Sequence, residues 1–383
     1  MIVELPFGRA PYRLDLAGRD AEVVGAMEVP AAVALLPDML DEALATPLGR
    51  PPLRELAGSG ARVTLIVSDA TRDEPRAAFV AAVQRCLPGV RWTLAVATGT
   101  HGPAVLEALG LPAAVLRDAT VVNHDGHRDD DLVTLGTTTR GTPMRVHRCV
   151  VEADLVVATG CIRPHYFAGF GAGVKAIFPG LGAAEAVRTN HRWKAAPGAR
   201  AGIIEGNPCR EDLEEAVALL PTPSFLLDGV CAPDGGIRAV VAGDLVAAFR
   251  AGVARARPWF TVRARPAPLV IASDVAPVTS SLYQAAKIAA AVAPLVAPGG
   301  KLVVVAECAE GIGPLDIVNE AILRIGVLPR LAPGVTIHLV SSLSAASVSY
   351  TLMKFAAAAE RFLDAGRVLV VPRASQLLCE AAQ

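Results

Sequence analysis

The segment 165–175 (HYFAGFGAGVK) combines histidine, glycine and lysine in a pattern that favours an anion-binding site. Gly169, Gly171 and Gly173 have no Cβ, so the backbone can approach a ligand and point its N–H groups at a phosphate. Lys175 follows at the predicted start of a helix, where the helix dipole also favours negative charge. The spacing matches neither a Walker A loop nor a Rossmann glycine motif. The segment therefore predicts either a ligand-binding loop or a tight turn between a strand and a helix.

Three histidines lie in polar loops close to glycine or to this lysine, namely His101, His165 and His191. Imidazole titrates near neutral pH, so two histidines that converge from separate strand ends would form an acid/base pair. A single histidine in a loop is more often simply solvated. His147 and His338 lie in apolar, strand-like stretches and are predicted to be structural.

His124 and His127 form an H-x-x-H pair beside Asp125, Asp129 and Asp130. Such a cluster can bind a metal ion, and a conventional metal hydrolase that uses these residues is one alternative. No further ligand follows at a regular spacing. We therefore interpret this stretch as a solvated loop.

Two groups are suited to bind an anionic substrate. Arg72 ends the segment 68–72 (SDATR), and its guanidinium is suited to bidentate contact with a carboxylate or phosphate, or to a surface ion pair with a neighbouring acid. Gln284 and Lys287 are three residues apart on one face of a helix predicted over 281–293. That face is expected either to reach a ligand across a cleft between domains or to belong to an ordinary amphipathic helix.

The polar clusters follow apolar runs that are typical of buried strands. The runs 63–67, 92–96 and 153–158 are rich in β-branched and small apolar residues, and a helix is predicted over 76–86. Alternating strands and helices favour a mostly parallel sheet, in which the carboxyl ends of the strands face the ligand. We therefore expect the three clusters to form one site.

The rest of the chain predicts a second α/β domain. The stretch 255–268 is rich in proline and arginine and is predicted to be a linker. Further strands are predicted over 269–272, 301–306, 335–340 and 368–371, and the opening residues predict a short hairpin. The expected architecture is two α/β domains with mostly parallel sheets, 1–262 and 263–383, with the active site in the cleft between them.

Composition points to a small-molecule partner in the cytoplasm. Of 383 residues, 36 are Lys or Arg and 37 are Asp or Glu, and this net charge of -1 gives no electrostatic case for nucleic acid or an anionic membrane. The 7 cysteines form no C-x-x-C pair, which argues against disulfides and structural zinc. No signal peptide or membrane-spanning stretch is predicted.

Taken together, these segments resemble the nickel-dependent lactate racemase family. The resemblance covers most of the chain and depends on the motifs SDATR (68–72), GTH (99–101), HYFAGFGAGVK (165–175), TNH (189–191), GNPCRED (206–212), SLYQAAK (281–287) and AECAEGIG (306–313). Each motif alone is weak, and their order makes the likeness specific. The resemblance implies nickel and a nickel-pincer nucleotide (pyridinium-3,5-bisthiocarboxylate mononucleotide), which cofactor-biosynthesis proteins would load.

Specific positions carry over from the family. Lys175 matches the lysine that is covalently attached to the cofactor, His191 the nickel ligand, and His101 and His165 the acid/base pair. The other matching positions are Asp69, Ala70, Thr71, Arg72 and Pro179 for cofactor binding, and Arg72, Tyr283, Gln284 and Lys287 for substrate binding.

The implied reaction is racemisation or epimerisation of a 2-hydroxy acid by hydride transfer, since its C2–H is not acidic. A cofactor-binding protein without racemase activity is the other alternative, although mere binding needs neither His101 nor His165. The chain departs from the family at Asp73, where proline is common, and at Gly171 and Ala172, where Ser-Gly is common. Asp73 and the following Glu74 are expected either to select a hydroxy acid other than lactate or to be solvated.

Overall fold

A computed structural model describes residues 1–382. The chain forms two compact units. One unit is Val29–Pro258, and the other joins Met1–Glu28 to the chain from Trp259 onward. Both units are α/β with a mostly parallel sheet, as predicted, and each of these sheets has six strands.

The strands are β1 (Ile2–Leu5), β2 (Tyr12–Asp15), β3 (Ala21–Val23), β4 (Arg62–Ser68), β5 (Arg91–Ala97), β6 (Thr120–Asn123), β7 (Leu132–Thr137), β8 (Pro143–His147), β9 (Leu155–Ile162), β10 (Pro164–His165), β11 (Gly169–Phe170), β12 (Ser224–Cys231), β13 (Ile237–Gly243), β14 (Thr261–Ala264), β15 (Ala267–Ser273), β16 (Val296–Val305), β17 (Thr336–Val340), β18 (Lys354–Phe355), β19 (Val368–Val371) and β20 (Leu378–Ala381). The α-helices are α1 (Leu36–Ala45), α2 (Arg76–Cys86), α3 (Ala113–Asp118), α4 (Ala184–His191), α5 (Pro208–Ala218), α6 (Ala247–Phe260), α7 (Leu282–Val292) and α8 (Ala345–Ser349). A π-helical segment spans Ile317–Val327.

The sheet of the Val29–Pro258 unit has the order β13-β12-β9-β4-β5-β6. Its strands pair in parallel except for β13 at one edge, which is antiparallel to β12. Strand β4 is buried along almost its whole length because both faces of a parallel sheet are covered. The predicted strands over 63–67, 92–96 and 153–158 correspond to β4, β5 and β9, and helix α2 has the predicted bounds.

The sheet of the other unit has the order β18-β17-β16-β15-β19-β3, with every pair parallel. Its core includes Leu269, Val303 and Val370, which are fully buried. The predicted opening hairpin is the antiparallel pair β1 and β2. Strand β3 pairs with β19, so the N-terminal residues, which the sequence assigned to the first domain, fold in the unit that contains the C-terminal half of the chain.

The predicted linker over 255–268 contains the boundary between the two units, after Pro258, but it is wrong as a stretch without regular structure. Residues up to Phe260 belong to α6, with Pro258 inside the helix, and β14 and β15 take most of the remainder. Pro258 lies in the last turn of α6, so the kink that proline causes falls near the end of the helix and does not interrupt its first turns. Among residues 1–382, no helix has both the length and the apolarity that crossing a bilayer requires.

Candidate active site

The polar segments after β5 and β9 are tied together by backbone hydrogen bonds. The Gly99 N–H, after β5, donates to the Gly180 carbonyl at 2.9 Å. The Gly180 N–H in turn donates to the carbonyl of Lys175, also at 2.9 Å, in the segment that follows β9. The loop that carries His101 is therefore anchored to the segment that carries the lysine.

Asp69 and His101 form a carboxylate–imidazole pair. His101 Nδ1 lies 2.8 Å from Asp69 Oδ2, and the imidazole is half exposed whereas the carboxylate is only 6% exposed. Burial opposes ionisation of Asp69, but hydrogen bonds from His101 and Thr71 outweigh it and lower the pKa of Asp69 to about 2. An ionised Asp69 holds the proton of a neutral His101 on Nδ1, which leaves Nε2 free to act as a base.

Glu74, which was expected either to select the substrate or to be solvated, and Arg76, which the sequence did not mark, build the loop that presents Asp69. Glu74 is buried and accepts hydrogen bonds from the Ser68 N–H at 3.0 Å and from Thr159 Oγ1 at 2.6 Å. The Arg76 guanidinium donates to the carbonyls of Ser68 and Asp69. Glu74 is therefore neither solvated nor available to select a substrate, while Asp73 is exposed.

Replacing Glu74 by glutamine is expected to lower the free energy of unfolding by about 1–3 kcal/mol, because the amide group would face a hydrogen-bond donor. Urea unfolding measures the effect. Asp73→Ala, at the exposed neighbouring position, is the control and should leave the free energy nearly unchanged. Equal stability of Glu74→Gln and the wild type would contradict this account of the loop.

His165 and Lys175 are in direct contact. Lys175 Nζ lies 3.0 Å from His165 Nε2, and the Ala168 N–H donates to His165 Nδ1 at 3.2 Å. A neutral imidazole that accepts at Nδ1 carries its proton on Nε2, so the lysine nitrogen must accept and must be uncharged. Burial, reinforced by the positive charges of Arg210 and Arg72, lowers the pKa of Lys175 to about 7, in agreement with this arrangement.

The Phe167 ring lies between two histidines. Its centroid is 4.7 Å from that of His165 and 5.0 Å from that of His191, both edge-to-face. Burial is the main cause that lowers the pKa of His191 to about 4, and the Lys175 and Lys194 amines lower it further when they are charged. His191, at the end of α4, is therefore neutral at physiological pH, as an imidazole must be to bind a metal ion.

Titration of His191 should make the fold sensitive to acid. The pKa of His191 is 6.5 in the unfolded chain and about 4 in the fold, so between these values the unfolded chain binds a proton that the fold does not. The free energy of unfolding is therefore unaffected by this group above pH 6.5 and decreases as the pH falls towards 4. We expect the melting temperature of the wild type to fall more between pH 7 and pH 4.5 than that of His191→Gln. His127→Gln, at an exposed histidine, should behave like the wild type. Parallel decreases in all three proteins would refute the assignment.

The N–H groups of Gly171 and Gly173 are used within the protein, as the alternative of a tight turn expects. The Gly171 N–H donates to the Arg163 carbonyl at 2.8 Å, and the Gly173 N–H donates to Asp228 Oδ2 at 2.9 Å. Both groups are therefore occupied within the protein. A Cβ at Gly173 would lie 2.7 Å from the Phe249 ring, and φ is +66° there. Lys175 lies in a short 3₁₀ turn, Gly173–Ala176, so the dipole argument for an α-helix does not apply.

The remaining predicted cofactor residues lie in the same two segments. Ala70, Thr71 and Arg72 are exposed, and Thr71 donates from its backbone N–H to Asp69 Oδ1 at 3.0 Å. Arg72 is close enough for its charge to act on Lys175. Pro179 is partly buried and precedes Gly180, which links the two loops.

The predicted substrate residues Tyr283, Gln284 and Lys287 lie on α7 in the other unit, in its first two turns. All three are partly buried. Ser281 caps the helix by accepting a hydrogen bond from the Gln284 N–H, and Lys287 Nζ donates to Gln284 Oε1. The lysine and the amide therefore share one face, as the spacing predicted.

His124 and His127 do not form a common site, and the interpretation of a solvated loop is wrong for His124. His124 is fully buried, with Nε2 3.0 Å from the Gly182 carbonyl, while His127 is exposed. Burial lowers the pKa of His124. Among residues 1–382, no group of three or more His, Cys, Asp or Glu side chains is arranged to hold a metal ion.

His147, predicted to be structural, is buried and accepts a hydrogen bond from the Cys149 N–H.

Comparison with known proteins gives one consistent family. Residues 7–202 match the family model of the lactate racemase N-terminal domain. The chain is 28% identical to the lactate racemase of Thermoanaerobacterium thermosaccharolyticum over 84% of its own length and 81% of that protein. It is also 28% identical to the lactate racemase of Lactiplantibacillus plantarum, over 72% and 67% of the two lengths.

Solved structures agree with the sequence comparisons. The lactate racemase apoprotein of Thermoanaerobacterium thermosaccharolyticum superposes with a TM-score of 0.86 at 25% identity, covering 99% of this chain and 100% of that one. A protein from Thermotoga maritima shares the fold, with a TM-score of 0.69 at 18% identity over 92% of this chain and 100% of that one. The family model matches more than half of the chain, and the chain therefore belongs to the lactate racemase family and is an isomerase of the racemase type.

Proposed function

We propose that this protein racemises or epimerises a 2-hydroxy acid, with lactate as the first candidate substrate, and that its cofactor is a nickel-pincer nucleotide attached to Lys175. The lactate racemases that it matches support the substrate class. The contact of 3.0 Å between Lys175 Nζ and His165 Nε2 carries the proposal, because, with His165 Nδ1 accepting from the Ala168 N–H, it favours an uncharged lysine amine beside an acid/base group.

The residues present fit such a cofactor. An amine with a pKa of about 7 can form a covalent bond at neutral pH, which an ordinary charged lysine resists. His191, neutral and near Lys175, suits a nickel ion, which accepts imidazole nitrogen in a square-planar set. Asp69, Ala70, Thr71, Arg72 and Pro179 would complete the binding site. When bound, the group would supply the hydride acceptor for C2 of the substrate.

His101 and His165 would move the proton of the substrate hydroxyl. Asp69 keeps the proton of a neutral His101 on Nδ1, so its Nε2 can accept the hydroxyl proton, and the carboxylate stabilises the imidazolium that results. His165 would return a proton to the oxygen from the other side. Two bases on opposite sides are needed because the product is the mirror image of the substrate.

Four side chains would bind the substrate, and we assign its carboxylate to Arg72, Gln284 and Lys287, with Tyr283 beside them. The guanidinium offers bidentate hydrogen bonds, and the ammonium and amide on α7 share one face. Loading would require cofactor-biosynthesis proteins, and the reaction would take place in the cytoplasm.

Racemisation of lactate deuterated at C2 tests the proposal. Hydride transfer within the site predicts that the enantiomeric product retains most of its deuterium, whereas deprotonation at C2 would exchange it for solvent hydrogen. The assay uses protein purified from a host that makes the cofactor, followed by chiral separation and mass spectrometry. Full loss of deuterium would contradict hydride transfer. Absence of conversion by fully loaded protein, for lactate and a panel of other 2-hydroxy acids, would favour a binding protein.

A further inference from the structure

The motif 206–212 (GNPCRED) has no part in the proposed chemistry, yet it touches the segments that carry the site. Asn207 is the N-cap of α5, and its Oδ1 accepts hydrogen bonds from the N–H groups of Cys209 and Arg210 at 3.1 and 3.2 Å. Its Nδ2 points the other way and donates to the carbonyl of Phe167 at 2.8 Å. Asn207 is fully buried. One side chain thus caps the helix and holds the ring that lies between His165 and His191.

Arg210, one turn along, holds the loop that leads to Lys175. Its side chain is fully buried, its guanidinium lies 3.6 Å from the Phe249 ring centroid, and its Nε donates to Glu214 at 3.0 Å. Nη1 reaches the carbonyl of Ala172 at 3.4 Å. Ala172 has φ +66° and ψ -162°, a conformation that glycine normally occupies, so this backbone needs support from its surroundings.

Asp212 holds the end of α4. It is fully buried, and its Oδ2 accepts from Asn190 Nδ2 at 2.7 Å and from Thr142 Oγ1 at 2.6 Å. Its Oδ1 accepts from Thr138 Oγ1 at 2.5 Å. Asn190 immediately precedes His191. The carboxylate therefore fixes the helical turn from which the His191 imidazole extends.

We infer that the first turns of α5 position the active site, with Asn207 holding the Phe167 ring, Arg210 the loop before Lys175, and Asp212 the turn that carries His191. The side chains at positions 207, 210 and 212 reach two segments that are separate in sequence. Asn207 and Arg210 contact the segment 165–175, and Asp212 contacts Asn190 beside His191. These are positioning residues, since none of them touches the reacting atoms. The inference rests on the proposed function only in naming His165, Lys175 and His191 as the cofactor-binding and acid/base groups.

Asn207→Asp separates positioning from folding. Its carboxylate still accepts the two N–H groups of the cap but cannot donate to the carbonyls of Phe167 and Ile203, so the cap is kept and the link to the Phe167 backbone is lost. We expect a lower melting temperature than that of the wild type, because a fully buried carboxylate oxygen would face two carbonyl oxygens, and the signals are compared under conditions in which the variant is folded. Asn319→Asp in the other unit is the matched control, because it loses a comparable bond of 2.9 Å to the Tyr350 carbonyl.

The readout is the NMR signals of histidine ring C–H groups in the cofactor-free full-length protein, labelled at histidine. The ring current of Phe167 displaces the signals of His165 and His191, and Phe167→Leu defines complete loss of that displacement. Asn207→Asp should shift both signals towards their positions in Phe167→Leu, and Asn319→Asp should shift neither. Once loaded, Asn207→Asp should show a kcat at least tenfold lower than the wild type.

Asp212→Asn provides a second, independent test. It weakens the hold on Asn190 but not on Phe167, so the His191 signal should move while the His165 signal stays. Unchanged histidine signals in both variants would overturn the inference, and so would equal changes in Asn319→Asp. If Asn207→Asp does not fold, the His191 signal of Asp212→Asn alone tests the inference. Failure of the wild type to racemise any hydroxy acid would refute the proposed function and leave the NMR result intact.

Discussion

Lys175→Met is expected to abolish racemisation completely, a loss on the order of 10⁶-fold or more, because the entire enzymatic rate acceleration would depend on the attached cofactor. Methionine fills nearly the same volume without an amine, so the partly buried position remains packed. The protein should purify without nickel and without added mass. Chiral analysis of product and intact-mass spectrometry measure the two effects.

The matched control is Lys301→Met, which removes an exposed lysine from the other unit. It should retain nickel, added mass and activity. The free energy of unfolding of Lys175→Met should be equal to that of the cofactor-free wild type or higher, since burial penalises the charged amine and lowers its pKa. Residual turnover above a few per cent in Lys175→Met would contradict the proposed attachment.

His101→Ala and His165→Ala are each expected to lower kcat by about 10²–10⁴-fold while the adduct on Lys175 and the bound nickel are retained. Each histidine would handle the hydroxyl proton for one face of the substrate, so loss of either blocks conversion in both directions. Asp69→Asn should also lower kcat, because it removes the carboxylate that holds the His101 proton on Nδ1. Enantiomer conversion measured alongside metal content tests these effects.

His127→Ala serves as the control for the histidine series, since His127 is exposed and lies outside the site. Its kcat should equal that of the wild type. If His101→Ala or His165→Ala retained full turnover, the assignment of two bases would be wrong. Loss of nickel in His165→Ala would instead indicate that this imidazole serves mainly to hold the cofactor.

The elements that carry the site could be predicted from the sequence because their residues are locally consistent. The run 63–67 has no helical period and is rich in β-branched residues, and it became the buried strand β4. Helix α2 has the predicted bounds, and Pro75 stands directly before its first residue. The stretch 255–268 misled because proline and arginine suggest a linker, whereas Pro258 is accommodated in the last turn of α6.

The site was predictable only where a motif follows the end of a strand. His101 and Lys175 stand out by type and position, but nothing local marks Glu74 or Phe167. Their roles depend on partners far along the chain, such as Thr159 for Glu74 and His191 for Phe167. The sequence could not decide between the two interpretations of the glycine-rich loop for the same reason, since Asp228, which occupies the Gly173 N–H, is 55 residues away.

Peptide mapping of the enzyme loaded in a cofactor-competent host tests the central claim most directly. The account predicts that the peptide containing Lys175 carries the full mass of the nickel-pincer nucleotide, joined to the side-chain amine, in the same protein fraction that interconverts the enantiomers. An active fraction in which this peptide has its unmodified mass would contradict the account.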